Sequence, residues 1–104
     1  MPNMLKMMQK AMAMRKEVKK LQRELESQTV EFTSGGVRVL ARGDMSVSDI
    51  TIDPSLVDPA RVAKLETTIA AAVNGALGAA RKKAEEVISK QSGGDLADLL
   101  RSGL

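Results

Sequence analysis

The sequence predicts an α+β fold: a long N-terminal helix, a three-stranded antiparallel meander and a long C-terminal helix. Three observations predict it. Apolar residues recur at heptad spacing up to Leu25, the period drops to two between residues 29 and 53, and helical spacing returns from residue 59.

In the first segment Met4, Met7, Ala11, Met14, Val18, Leu21 and Leu25 are spaced 3, 4, 3, 4, 3, 4, the a/d seam of a helix, and Met8 and Met12 widen it on one flank. Pro2 suits the first turn, where a missing N–H costs little. The predicted helix covers about residues 3–27, roughly 37 Å at ~1.5 Å per residue. Strands follow at about 29–33, 37–42 and 47–53. Val30 and Phe32 alternate with polar neighbours, and Ser34-Gly35-Gly36 forms the first turn. Val37, Val39 and Ala41 alternate with Arg38, Leu40 and Arg42. Gly43-Asp44 marks the second turn, and Ile50 and Ile52 face one way before Asp53-Pro54 ends the strand.

Asp58 is a good N-cap with Pro59 at the first helical position, opening a helix over about 59–92. Val62, Leu65, Ile69, Val73, Ala76, Ala80, Ala84 and Val87 recur along it, and Gly93-Gly94 stops it. Its middle, "AAAVNGALGAA", is almost entirely small residues. Gly75 and Gly78 each cost a helix up to ~1 kcal/mol, so they imply close packing. The last stretch, "DLADLLRSGL" over 95–104, reads as a short helix or a tail, and a single domain spans 1–104. A strand of about seven residues is roughly 23 Å long at ~3.3 Å per residue, shorter than either helix. Both helices therefore overhang the sheet. Their overhanging seams need a partner, which predicts a homodimer with projecting helical arms.

Composition narrows the function classes. A chain of 104 residues builds a modest core, and with Phe32 as its only aromatic that core must consist of aliphatics, Met and Ala. There is no Cys and no His, which excludes disulfides, Cys or His zinc sites, thiol nucleophiles and histidine-dependent catalysis. The longest apolar run, Ile69 to Val73, is far short of a membrane span, and Lys6, Gln9 and Lys10 interrupt any signal-peptide core. A soluble cytoplasmic protein is expected. The net charge is +3, but residues 1–23 carry Lys6, Lys10, Arg15, Lys16, Lys19, Lys20 and Arg23 against Glu17 alone, for +6, leaving −3 on the rest.

Methionine at a/d spacing fills a core or coiled-coil seam, and it also suits an adaptable groove for a partner helix. A membrane-surface helix would carry Trp or Phe on its apolar face, which this one lacks. The basic run fits a solvated helix face, yet Glu17, Glu24 and Glu26 are too few to neutralise it. Clustered cations of this kind bind phosphates by counterion release. Without aromatics to stack on bases, duplex backbone contact is favoured over single-strand readout. Arg81, Lys82 and Lys83 form a second, smaller cluster followed by Glu85 and Glu86.

Arg42-Gly43-Asp44 reads as a hairpin turn rather than an adhesion tripeptide. "SGGVRV" leads into a strand and lacks the Gly-Lys-Ser/Thr of a phosphate loop. Asp53 and Asp58 are accounted for by a turn and a cap, and with Asp49 they make no catalytic set. No enzyme, cofactor, metal site or small-molecule substrate is expected.

The order of these elements resembles the YbaB/EbfC family of bacterial nucleoid-associated proteins. The matching stretches are "NMLKMMQKAMAM", "VEFTSGGVRVLARGD", "ITIDPSLV", "IAAAVNGALGAARKKAEE" and the "SGG" that follows. The resemblance implies a homodimer with tweezer-like arms that binds duplex DNA with little sequence preference at the nucleoid. It places the contacts on Lys6, Lys10, Arg15, Lys16, Lys19, Lys20 and Arg23, and on Arg81, Lys82 and Lys83. Two departures stand out: a glycine turn one residue shorter, and Gly75 where the family often has an acidic residue after the asparagine. The alternative function is a protein-interaction module in which the Met-rich seam docks a partner helix.

Overall fold

A computed structural model of the chain describes residues 3–92. The segment 95–104, read above as a short helix or tail, lies outside the described residues, as does Pro2. Helix α1 spans Met4–Ser27, and strands β1 (Thr29–Ser34), β2 (Val37–Arg42) and β3 (Val47–Ile52) follow. Two 3-10 turns, Pro54–Leu56 and Pro59–Arg61, lead into helix α2, Val62–Ser92. The fold is α+β, two long helices and one antiparallel sheet of order β1-β2-β3.

Local chemistry explains the joints. Asn3 caps α1, its side-chain oxygen accepting the N–H groups of Leu5 (3.1 Å) and Lys6 (3.4 Å). Gly35 and Gly36 both have positive φ, 58° and 88°, the backbone that a two-residue hairpin between Ser34 and Val37 requires. The second turn is less economical. Met45 sits there at φ 70°, and the Asp44 carboxylate accepts the hydroxyl and amide of Ser46. Asp58 caps a 3-10 turn carrying Pro59, and the α-helical hydrogen bonding proper starts after it.

One feature of β3 escapes simple alternation. Leu40 pairs with Asp49 while Ala41 pairs with Val47, so Ser48 is an extra residue in a bulge, its hydroxyl donating to the Leu40 carbonyl at 3.2 Å. The bulge puts Val47 opposite Ala41, Ile50 opposite Val39 and Ile52 opposite Val37, on one face of the sheet.

The core is the layer between that face and α2. Val37, Val39 and Ala41 of β2 meet Ala72, Ala76 and Ala80 of α2, all six fully buried. Alanines every four residues let the helix backbone lie close to the strand. Gly75 takes this further: a Cβ there would lie 2.2 Å from Cε1 of Phe32, so the ring occupies the space a side chain would fill. That contact accounts for a glycine at this position. Gly78 differs from expectation, since a Cβ there would meet nothing within 4 Å among the described residues. Its close contact is not made within residues 3–92.

A second, smaller cluster joins the helices beyond the sheet, with Leu21 and Ile88 buried against Leu25 and Val87. Phe32 lies by Gly75 and Gly35 by Thr68, so α2 runs toward the end of the sheet where α1 arrives. The helices are therefore antiparallel. Among the described residues α1 reaches beyond that cluster and past the end of α2, with extents of 72 × 22 × 20 Å and a radius of gyration of 19.3 Å. A compact chain of this length would have about 13 Å, so the molecule is a small body with a long arm.

Candidate nucleic-acid interface

All of α1 from Met4 to Lys20 is exposed. No other element packs across this stretch among the described residues, and its own sequence favours a helix. Residues 4–25, "MLKMMQKAMAMRKEVKKLQREL", contain almost only strong helix formers, Val18 being the one β-branched residue.

Its charges are laid out against helix stability. The helix macrodipole favours acids at the N-terminus and bases at the C-terminus, each worth about 0.3–1 kcal/mol. Here the first turn has no acid and the last turn no base, while Lys6 and Lys10 lie near the start and Glu24 and Glu26 near the end. The positive helix end and the lysines reinforce each other. Such a pattern raises the potential an anion meets.

Lys16, Lys19, Lys20 and Arg23 are spaced i, i+3, i+4, i+7, which gathers them on one face away from the a/d seam. Lys6 and Lys10 extend the basic surface toward the tip, and Arg15 borders the seam. Lys6 to Arg23 spans about 26 Å at ~1.5 Å per residue. Among the described residues the ion pairs are Arg38–Glu31, Arg61–Asp58 and Lys83–Glu86, and none involves an α1 cation. A helix of about 10–12 Å diameter also matches the ≈12 Å width of a DNA major groove.

The second predicted cluster is not a single surface. Arg81, Lys82 and Lys83 follow one another at about 100° per residue and point to different sides of α2. Arg81 and Lys82 are exposed, while Lys83 is partly covered and 3.8 Å from Glu86. All three lie closer to the sheet than Ile88, which packs on Leu21, so they sit below the arm's cations. Lys90, two residues past Ile88, is the α2 cation level with them. Its place in the last turn of a long helix was the available signal. The open face of the sheet adds Arg38, neutralised by Glu31 at 2.8 Å, and the exposed Arg42.

Asp53 and Asp58 serve as turn caps. Asp53 accepts the Ser55 N–H and Asp58 the Ala60 N–H, each at 2.9 Å. The Ser55 bond holds the Asp53 carboxyl below its ordinary 3.8, and Ser46 does the same for Asp44. Among the described residues no cluster of three or more acids could hold a metal ion, and no helix is long and apolar enough to cross a membrane.

The model of the YbaB/EbfC DNA-binding family matches residues 1–95. The chain belongs to that family. Its relatives include a nucleoid-associated protein of Pelotomaculum thermopropionicum, 41% identical over 104 residues (98% of this chain, 95% of that one). Another nucleoid-associated protein, from Ruminiclostridium cellulolyticum, is 39% identical over 94 residues, 88% of this chain and 82% of its own. The crystal structure of an uncharacterised Helicobacter pylori protein shares the fold at a TM-score of 0.60, with 22% identity, covering 73% of this chain and 90% of that one.

Proposed function

We propose that this YbaB/EbfC family chain is a non-enzymatic nucleoid protein that binds duplex DNA, chiefly through phosphate contacts made by the basic face of α1. The observation that carries this reading is a helix exposed from Met4 to Lys20 whose cations have no acidic partner among the described residues. Lys16, Lys19, Lys20 and Arg23 form the centre of the contact, with Lys6, Lys10 and Arg15 flanking it and Arg81 and Lys82 at the rim. Contacts of this kind carry no sequence information, so binding is of low specificity and can influence gene expression only through DNA organisation.

The acting unit in this reading is a homodimer. Supporting it, Val47 and Ile50 lie on the apolar face of the edge strand β3 yet are 38% and 41% exposed, because α2 covers β1 and β2 instead. A second copy laid over that row would double the basic arms. Band-shift titration of random-sequence duplex DNA tests the reading. Log affinity is expected to fall linearly with log salt, by about 0.9 per phosphate contacted. A salt-independent affinity, or no shift, would overturn it. The exposed methionines favour a second reading, a docking module for a partner helix, for which a complex surviving nuclease and high salt is the mark.

A further inference from the structure

The seam of α1 changes chemistry where it changes exposure. Its covered end is built of branched aliphatics, Leu21 and Leu25 packed with Val87 and Ile88. Methionine holds three of its bare positions, Met4, Met7 and Met14, with Met8 and Met12 on the flank. Met4, Met7 and Met8 are 76%, 61% and 62% exposed among the described residues. A position that only has to be apolar and helical is served as well by leucine, whose helix propensity is of equal rank. What methionine has and leucine lacks is a thioether sulfur.

Helix geometry draws three of those sulfurs together. At about 100° per residue, Met4, Met7 and Met8 fall within an arc of about 100° on one side of α1. Met7 and Met8 stand at i+3 and i+4 from Met4, a spacing that sets Cβ atoms about 5–6 Å apart. Helical side chains lean toward the N-terminus, so Met7 and Met8 reach back over the turn that carries Met4. The rotatable bonds of each thioether let the three sulfurs converge on one point.

The donor type fixes the ligand class. Thioethers suit soft cations such as Cu(I), whereas carboxylates, carbonyls and water suit magnesium, calcium and manganese. With no Cys and no His in the chain, the thioether is its one soft side-chain donor. The first turn of α1 has no acid, and Lys6 and Lys10 lie beside the methionines. Nothing there offsets a double charge, and the lysines repel a divalent ion twice as strongly as a monovalent one. We propose that Met4, Met7 and Met8 form a three-thioether site for a soft monovalent cation of the Cu(I) type near the tip of α1. The site lies about two turns ahead of Lys16, and it does not depend on DNA binding.

Ag(I), a redox-stable ion of the same soft class, is the probe, added as its nitrate to the full chain in chloride-free buffer without DNA. Titration followed by methionine methyl resonances is expected to move Met4, Met7 and Met8 together, saturating at one ion per chain. Met45, a methionine of the body on the β2–β3 turn, is expected to need at least tenfold more Ag(I). Zn(II) is expected to move none of them. Met4→Leu/Met7→Leu/Met8→Leu keeps the helix propensity and the apolar surface, and is expected to weaken Ag(I) binding at least tenfold with an unchanged circular dichroism spectrum. The absence of a saturable shift, an equal response at Met45, an equal response to Zn(II), or parent-like binding by the triple variant would overturn the proposal.

Discussion

The sheet-packed body and the projecting half of α1 use similar apolar residues and bring them to opposite ends. Val37, Val39 and Ala41 lose all exposure against Ala72, Ala76 and Ala80, whereas Met4, Met8 and Met12 keep 62–76% of theirs. Hydropathy does not separate the two regions. What separates them, among the described residues, is whether another element lies across the stripe. The body stands on packing, the arm on helix propensity, and substitutions should divide accordingly.

The largest effect is expected at the centre of the body. Val39→Asp places a carboxylate among fully buried aliphatics with no donor, a cost of several kcal/mol and enough to unfold a domain this small. Loss of the cooperative thermal transition is the expected result. Met8→Asp on the arm is expected to leave the midpoint within about 2 °C, on the ordinary scale of surface changes within ±0.5 kcal/mol. Similar destabilisation by both would erase the distinction.

Next comes a pair on one helix. Gly75→Ala sets a Cβ 2.2 Å from the Phe32 ring, and the overpacking, about 1–3 kcal/mol, exceeds the ~1 kcal/mol gained in helix propensity. Gly78→Ala meets nothing within 4 Å among the described residues, and only the gain of up to ~1 kcal/mol remains. Denaturant midpoints are expected to move in opposite directions. A loss of stability at Gly78 that grows with protein concentration would instead place a second copy against it.

These contrasts show what was legible in the sequence. Period and length gave two long helices around a three-stranded antiparallel sheet, because heptad spacing and strict alternation have few other solutions. Close packing at Gly75 was also legible, though not its partner Phe32, which depends on how α2 crosses β1. The Ser48 bulge was hidden, since an inserted residue breaks the alternation on which strand reading relies. The cations of α1 could be named from charge alone. That Arg81, Lys82 and Lys83 diverge, and that Lys90 comes level with the arm, depends on helix phase and on the Leu21–Ile88 contact.

Smaller effects concern the joints. Met45→Asn relieves a positive φ of 70° that a non-glycine side chain tolerates poorly, and is expected to raise stability by up to about 1 kcal/mol by chemical denaturation. Asp44 and Asp53 have lowered pKa values, from hydrogen bonds to Ser46 and Ser55 respectively. Their folded-state values lie below the unfolded ones, so this stabilisation is present above 3.8 and is lost as pH falls through the lowered values. Asp53→Asn is expected to flatten the acid limb of the stability profile slightly; an unchanged limb would show that the bond to Ser55 contributes nothing.

The most direct test of the account compares equal charge changes on the two regions. Lys16→Glu/Lys19→Glu/Lys20→Glu reverses three cations on the arm, and Arg42→Glu/Arg61→Glu/Lys64→Glu reverses three exposed cations on the body. Duplex DNA affinity is to be measured across a salt series for both, with helicity checked by circular dichroism. The arm variant is expected to lose binding, or to retain a weak remnant whose salt slope is lower by about one per lysine for each bound arm, while the body variant binds much as the parent does. Equal losses in the two, or full binding by the arm variant, would contradict the assignment of DNA contact to α1.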